Sequence, residues 1–135
     1  MNDVDQLQQT RLWVAVINID LQLYKASIYK GRWGTPGAGI DMAMPCYDEA
    51  LQTLSETVWP DKLGSLATGL AGRIRKFKQT LDARDATQAS SDITRLNYAF
   101  EDLRAAVRFW PNDPPASAFA LRTVVELPTD ERTGM

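Results

Sequence analysis

The sequence predicts an all-α fold, an antiparallel bundle of about four main helices with room for a short fifth at the C-terminus. Two observations predict it. Apolar residues recur at three- and four-residue spacing through most of the 135 residues, and turn-forming residues (Gly31 to Gly39, Trp59-Pro60, Pro111) stand between those stretches. Hydrophobic content of 44% with 24% charged residues is globular composition, and a chain of this length buries a core without covalent staples. One helical domain over residues 1–128 with a flexible tail over 129–135 accounts for the whole length.

The first element runs from about Asp3 to Lys30 and carries two apolar seams. Leu7, Val14, Ile17, Leu21, Tyr24 and Ile28 form one; Leu12, Val16, Ile19, Leu23 and Ala26 form the other. At 100° per residue they lie about 150° apart, so a helix here needs cover on both sides. Residues 12–24 also admit a strand, because Ile17-Asn18-Ile19-Asp20-Leu21-Gln22-Leu23 alternates strictly. Length favours the helix: the pattern outruns a usual strand of about 5–6 residues.

Gly31-Arg32-Trp33-Gly34-Thr35-Pro36-Gly37-Ala38-Gly39 reads as a loop. A second helix follows from Pro45 to about Val58, with Ala50, Leu51, Leu54 and Val58 inward and Trp59-Pro60 at its end. The third covers 61–83, with Leu63, Leu66, Leu70, Ile74, Phe77 and Leu81 on one face. Ser65, Gly69 and Gly72 share a flank of it, which fits either a close neighbouring backbone or a broken helix start. The fourth helix is the clearest: Ala89, Ile93, Leu96, Phe100, Leu103, Val107 and Trp110 make a continuous seam ended by Pro111. Asp85 and Gln88 have capping-box spacing, and Asp82 to Asp85 leave room only for an antiparallel hairpin. Residues 116–126 read as a short fifth helix or, at Thr123-Val124-Val125, as an extended edge.

Chemistry is bounded by what is missing. The chain has no histidine and a single cysteine, Cys46, which removes the commonest general base, the commonest metal ligand and any internal disulfide. The glycine-rich loop lacks the Lys-Ser/Thr pair of a phosphate loop, although Lys30, Arg32 and Trp33 could hold an anion. Cys46 falls near the predicted start of the second helix, where a thiolate is favoured, but Asp48 and Glu49 repel that charge; a quiet, partly buried thiol is the better reading. The adjacent pairs Asp48-Glu49 and Glu101-Asp102 point in different directions, which suits no acid–base couple. Asp20 is the odd carboxylate, either paired with Arg73 across the bundle or solvated. No cofactor, no metal and no enzymatic activity are expected.

Net charge is −2, yet residues 61–84 carry +4 between flanks of −3 each. The basic stripe Arg73, Arg75, Lys76 and Lys78 is the basis of one functional reading, a helical subunit that binds the phosphate backbone of nucleic acid. The preferred reading is a non-enzymatic interaction or accessory subunit that pairs with itself, as a homodimer, or docks into a larger complex. The second apolar stripe of the first helix (Leu12, Val16, Ile19, Leu23) together with Phe119 and Leu121 is the expected interface. The acidic opening Asn2-Asp3-Val4-Asp5 is unlike a basic leader, and no apolar run approaches the roughly 20 residues of a membrane span. A soluble cytoplasmic protein without membrane contact is expected.

Overall fold

The computed structural model describes residues 2–30 and 38–119. Among them are four α-helices, α1 (Asp3–Lys30), α2 (Ala38–Glu56), α3 (Lys62–Asp82) and α4 (Ala86–Phe109), and a single 3-10 turn at Ala116–Phe119. The helices form an antiparallel four-helix bundle in which α1 packs on α2, α2 on α3, α3 on α4 and α4 on α1. The predicted fold class holds. No helix among the described residues is long and apolar enough to cross a membrane.

Residues 12–24 are helix, not strand, and α1 runs unbroken for 28 residues. Asn2 starts it: its Oδ1 accepts from the Asp5 N–H at 2.8 Å, and Asp3 and Asp5 complement the positive end of the helix. The same end of the bundle is tied to the end of α4 by Gln9, whose Nε2 lies 3.0–3.2 Å from the carbonyls of Val107, Arg108 and Trp110. That one amide gathers carbonyl groups at the end of α4, where the helix runs out of backbone donors; of the three, Val107 O also accepts from the Trp110 N–H at 3.2 Å.

The second helix begins at Ala38, seven residues before the expected start at Pro45. Ile40 and Ala43 are buried and already carry the inward period that continues through Cys46, Tyr47, Ala50 and Leu54. Pro45 sits inside the helix on its exposed side, where the missing N–H and the ring displacement are borne next to water. The helix stops at Glu56, so Val58 leaves the inward face and is 84% exposed. Trp59 closes the end, its indole N–H donating to the Leu54 carbonyl at 2.9 Å.

The α3–α4 hairpin is as the seams predict. Leu63, Leu70, Ile74, Phe77 and Leu81 of α3 meet Ala89, Leu96, Phe100, Leu103 and Val107 of α4, all buried, with Leu66, Ile93 and Trp110 packed at the rim. Arg84 turns the chain at φ 60, and two bonds finish α3 around it: Arg84 N–H to Leu81 O at 3.0 Å, and Asp85 N–H to Thr80 O at 3.2 Å. Asp85 then caps α4 by accepting from the Gln88 N–H at 3.0 Å. The reciprocal half of the capping box is absent, because the Gln88 side chain turns inward and donates to Asp92 instead.

Candidate interaction surface

Of the two seams of α1, the structure buries the one expected at the interface. Leu12, Val16, Ile19 and Ala26 are core residues, and Leu23 is half-buried against them. The expected interface on Leu12, Val16, Ile19 and Leu23 is therefore corrected. The physical reason lies in side-chain size: this seam runs with the small residues Ala15 and Ala26, and α2 presents buried Ala43 and Ala50, so the two backbones can approach closely. Phe119 ends the 3-10 turn, and Leu121 lies outside the described residues.

The outward face is the other seam. Leu7, Val14, Ile17, Leu21, Tyr24 and Ile28 are each at least 52% exposed. From Leu7 to Ile28 the stripe extends about 32 Å along the helix. Arg11 and Lys25 border it on the α2 side, where Asn18 donates to Thr53 Oγ1 of α2 at 2.9 Å. Trp13 and Asp20 border it on the α4 side, in a groove shared with Glu101, Arg104 and Arg108 and closed at one end by Ser117 and Ala118. Asp20 is exposed, and α1 packs on α2 and α4, so the alternative of a pair with Arg73 of α3 is not realised; the two ion pairs among the described residues are Lys62–Asp113 and Lys78–Asp48.

The basic stripe is partly occupied. Arg73, Arg75 and Lys76 are exposed on α3, but Lys78 is partly buried and bonded to Asp48 of α2. The remaining candidates are placed as follows. Cys46 is buried in the middle of α2 with its Sγ 3.8 Å from the Met42 carbonyl, away from any helix N-terminus. Beside it Tyr47 is buried edge-on to Phe77, ring centroids 5.5 Å apart at 86°. Burial, reinforced by Cys46, pushes the Tyr47 phenol well above its ordinary range. Gly69 and Gly72 face open space, so the idea of a close backbone there is corrected, and α3 is unbroken through them. Arg32 and Trp33 lie outside the described residues, as do the side chain of Lys30 and the extended-edge alternative at Thr123 to Val125.

Among the described residues no group of three or more His, Cys, Asp or Glu side chains could hold a metal ion. A half-open groove of about 370 Å³ lies where α3 starts and α4 ends, floored by Leu63, Leu66, Ala106 and Trp110 and rimmed by Asp61, Asp102 and Asp113. Lys62 at that rim is already bonded to Asp113. No protein-family model matches the chain, and no curated protein or solved structure matches it.

Two features, one at this surface and one in the α3–α4 hairpin, escaped the sequence. The polarity of the two α1 seams is carried by alanine spacing, a weak signal beside six large apolar residues. The other is the buried carboxylate of Asp92, which stands among the polar residues Ser90, Ser91, Thr94 and Arg95 and so reads as part of a solvated face.

Proposed function

We propose that this chain is a non-enzymatic interaction module, an accessory subunit that works by burying the outward face of α1 against another protein surface. One observation carries the reading: six large apolar side chains, Leu7, Val14, Ile17, Leu21, Tyr24 and Ile28, form one continuous exposed stripe on the longest helix. Scattered apolar residues on a surface need no explanation, but a contiguous stripe of this length marks an interaction site. Each side chain brought from water into a full contact contributes roughly 1.5–3 kcal/mol. The absence of histidine and the burial of the single thiol support a role without covalent or acid–base chemistry. The nucleic-acid reading loses one of its four cations to the Lys78–Asp48 pair and gains nothing in exchange. A soluble cytoplasmic setting is part of the proposal.

The test joins sedimentation with an apolar-dye titration. The wild type should either associate with itself or, as a monomer, bind dye on α1. Ile17→Lys with Leu21→Lys should abolish whichever is seen while leaving the helical circular dichroism signal and the melting temperature in place. A wild-type monomer that binds no dye overturns the reading.

A further inference from the structure

The outward stripe has the spacing of a coiled-coil seam. Leu7, Val14, Leu21 and Ile28 are seven apart, and Thr10, Ile17 and Tyr24 fall between them at the positions that complete a 3-4 repeat. With Leu7, Val14, Leu21 and Ile28 as the a positions, Thr10, Ile17 and Tyr24 are d. The flanking g positions are then Gln6, Trp13, Asp20 and Ser27, and the e positions are Arg11, Asn18 and Lys25. Such side chains line the edges of a helix pair and choose its partner and direction.

Resting on the reading of this face as a docking surface, we propose that its occupant is a second copy of the chain: α1 pairs with α1 in parallel and in register, and Asp20 of each copy faces Lys25 of the other. In a parallel pair a g residue meets the e residue five positions on in the partner helix. That rule joins Asp20 to Lys25 and Gln6 to Arg11, each twice by symmetry, and it brings no like charges together at the e and g positions; the one like pair is Asp3 against its own copy, at the d position of the first turn. Both Asp20 and Lys25 are exposed and available for it.

Antiparallel pairing fits worse. The register that sets Val14 opposite Tyr24 and Ile17 opposite Leu21 also sets Asp20 against Asp20 and Arg11 against Lys25, repulsion on both edges. One heptad in one direction sets Leu7 opposite Tyr24 and Val14 opposite Ile17 but joins no opposite charges along either edge, Arg11 meeting Asn18 and Asp20 meeting Trp13; one heptad in the other leaves Leu7 and Val14 unopposed. The chain's own last residues are also a poor cover. Even fully extended, the apolar stretch Leu121 to Leu127 spans at most about 25 Å, short of the roughly 32 Å stripe.

Two experiments on the full chain decide this. In a Cys46→Ala background, Leu7→Cys and Ile28→Cys are made singly. Parallel pairing makes each variant form a disulfide with its own kind under mild oxidation. A disulfide needs Cα atoms about 4.4–6.8 Å apart, whereas the antiparallel register with Val14 opposite Tyr24 puts the two copies of Leu7 about 36 Å apart along the axis and lets neither variant link to its own kind. Charge reversal is the second experiment. Asp20→Lys and Lys25→Asp should each weaken the dimer roughly tenfold, and the double variant should restore it. In the antiparallel register Lys25→Asp would instead strengthen it, by meeting Arg11. A dimer in which neither variant links to its own kind overturns the proposal and leaves the docking reading standing. So does a wild-type monomer whose α1 binds dye; a monomer that binds none overturns both.

Discussion

The hydroxyl of Thr80 donates to the carboxylate of Asp92 across the α3–α4 hairpin, 2.6 Å from oxygen to oxygen, with both residues buried. Asp92 takes its second bond from the Gln88 amide at 2.8 Å. A carboxylate this deep, served by two neutral donors, holds its place only while both bonds are made, since a buried polar group left without its partner costs its full desolvation. Thr80→Val is isosteric and removes one donor. It should lower the unfolding free energy by about 1–3 kcal/mol in urea titrations. Asp92→Leu in the Thr80→Val background should recover part of the loss, because replacing both partners by apolar groups removes the buried charge. A Thr80→Val protein within about 0.5 kcal/mol of the wild type would show that the pair contributes nothing.

Glycine stands where α3 does not need it and is missing where the backbone asks for it. A Cβ at Gly69 or Gly72 would meet nothing, so Gly69→Ala and Gly72→Ala should each stabilise by roughly 0.5–1 kcal/mol, chiefly by restricting the unfolded chain. Arg84 is the reverse case, a non-glycine at φ 60 in the left-handed turn that ends α3. Its guanidinium bonds the Leu81 carbonyl at 2.9 Å, which offsets part of the strain. Asp61, at φ 47 and ψ −129 before α3, has no such compensation: its side chain makes no capping bond. Asp61→Gly should therefore raise the melting temperature more than Arg84→Gly does, and the opposite order in differential scanning calorimetry would refute the strain argument.

The contrast between these positions shows what is legible in this sequence. Regular apolar spacing locates α3 and α4 almost to the residue, because each has one seam and a hard stop: Pro111 for α4 and the Asp82 to Asp85 turn for α3. The glycines of α3 mislead in the direction of a broken helix, since propensity is overridden once Leu70, Ile74 and Phe77 are buried. The start of α2 is missed because proline reads as a helix start when it is in fact tolerated on an exposed flank inside one. In α1 the existence of two apolar faces is plain from the sequence. Which of them faces inward depends on the alanines of a different helix, and spacing within one segment carries no such information.

Tyr47 supplies a pH dependence. Its phenol is held protonated by burial, with Cys46 adding to the effect, above the ordinary value of about 10. Unfolded chains release this proton near pH 10 while the folded protein keeps it, so the stabilisation is complete below that pH and falls as pH rises beyond it. The slope attributable to one such group is about 1.4 kcal/mol per pH unit. Comparing wild type with Tyr47→Phe in urea between pH 9 and 11.5 cancels the other titrating groups. The wild type should lose stability more steeply above pH 10, and parallel curves would mean that Tyr47 ionises freely in the folded state.

Val16 and Ile17 are consecutive residues of α1 with opposite surroundings: Val16 is 1% exposed in the core and Ile17 is 53% exposed on the outward stripe. A charge at the first position has no partner within reach of a closed apolar interior and must be solvated at the expense of the fold. A charge at the second meets water unless another surface lies over it. Val16→Lys should therefore destabilise the bundle by more than about 3 kcal/mol, at the severe end of single substitutions, and a protein that no longer folds satisfies the same expectation. Ile17→Lys should leave unfolding of the isolated chain within about 0.5 kcal/mol of the wild type at concentrations below any association. At higher concentration the same substitution should remove the concentration dependence of the melting temperature that partner binding imposes on the wild type. The pair of measurements separates the two faces of one helix. Equal destabilisation by both substitutions would mean that Ile17 is covered within the chain, and the outward stripe would cease to be a docking surface.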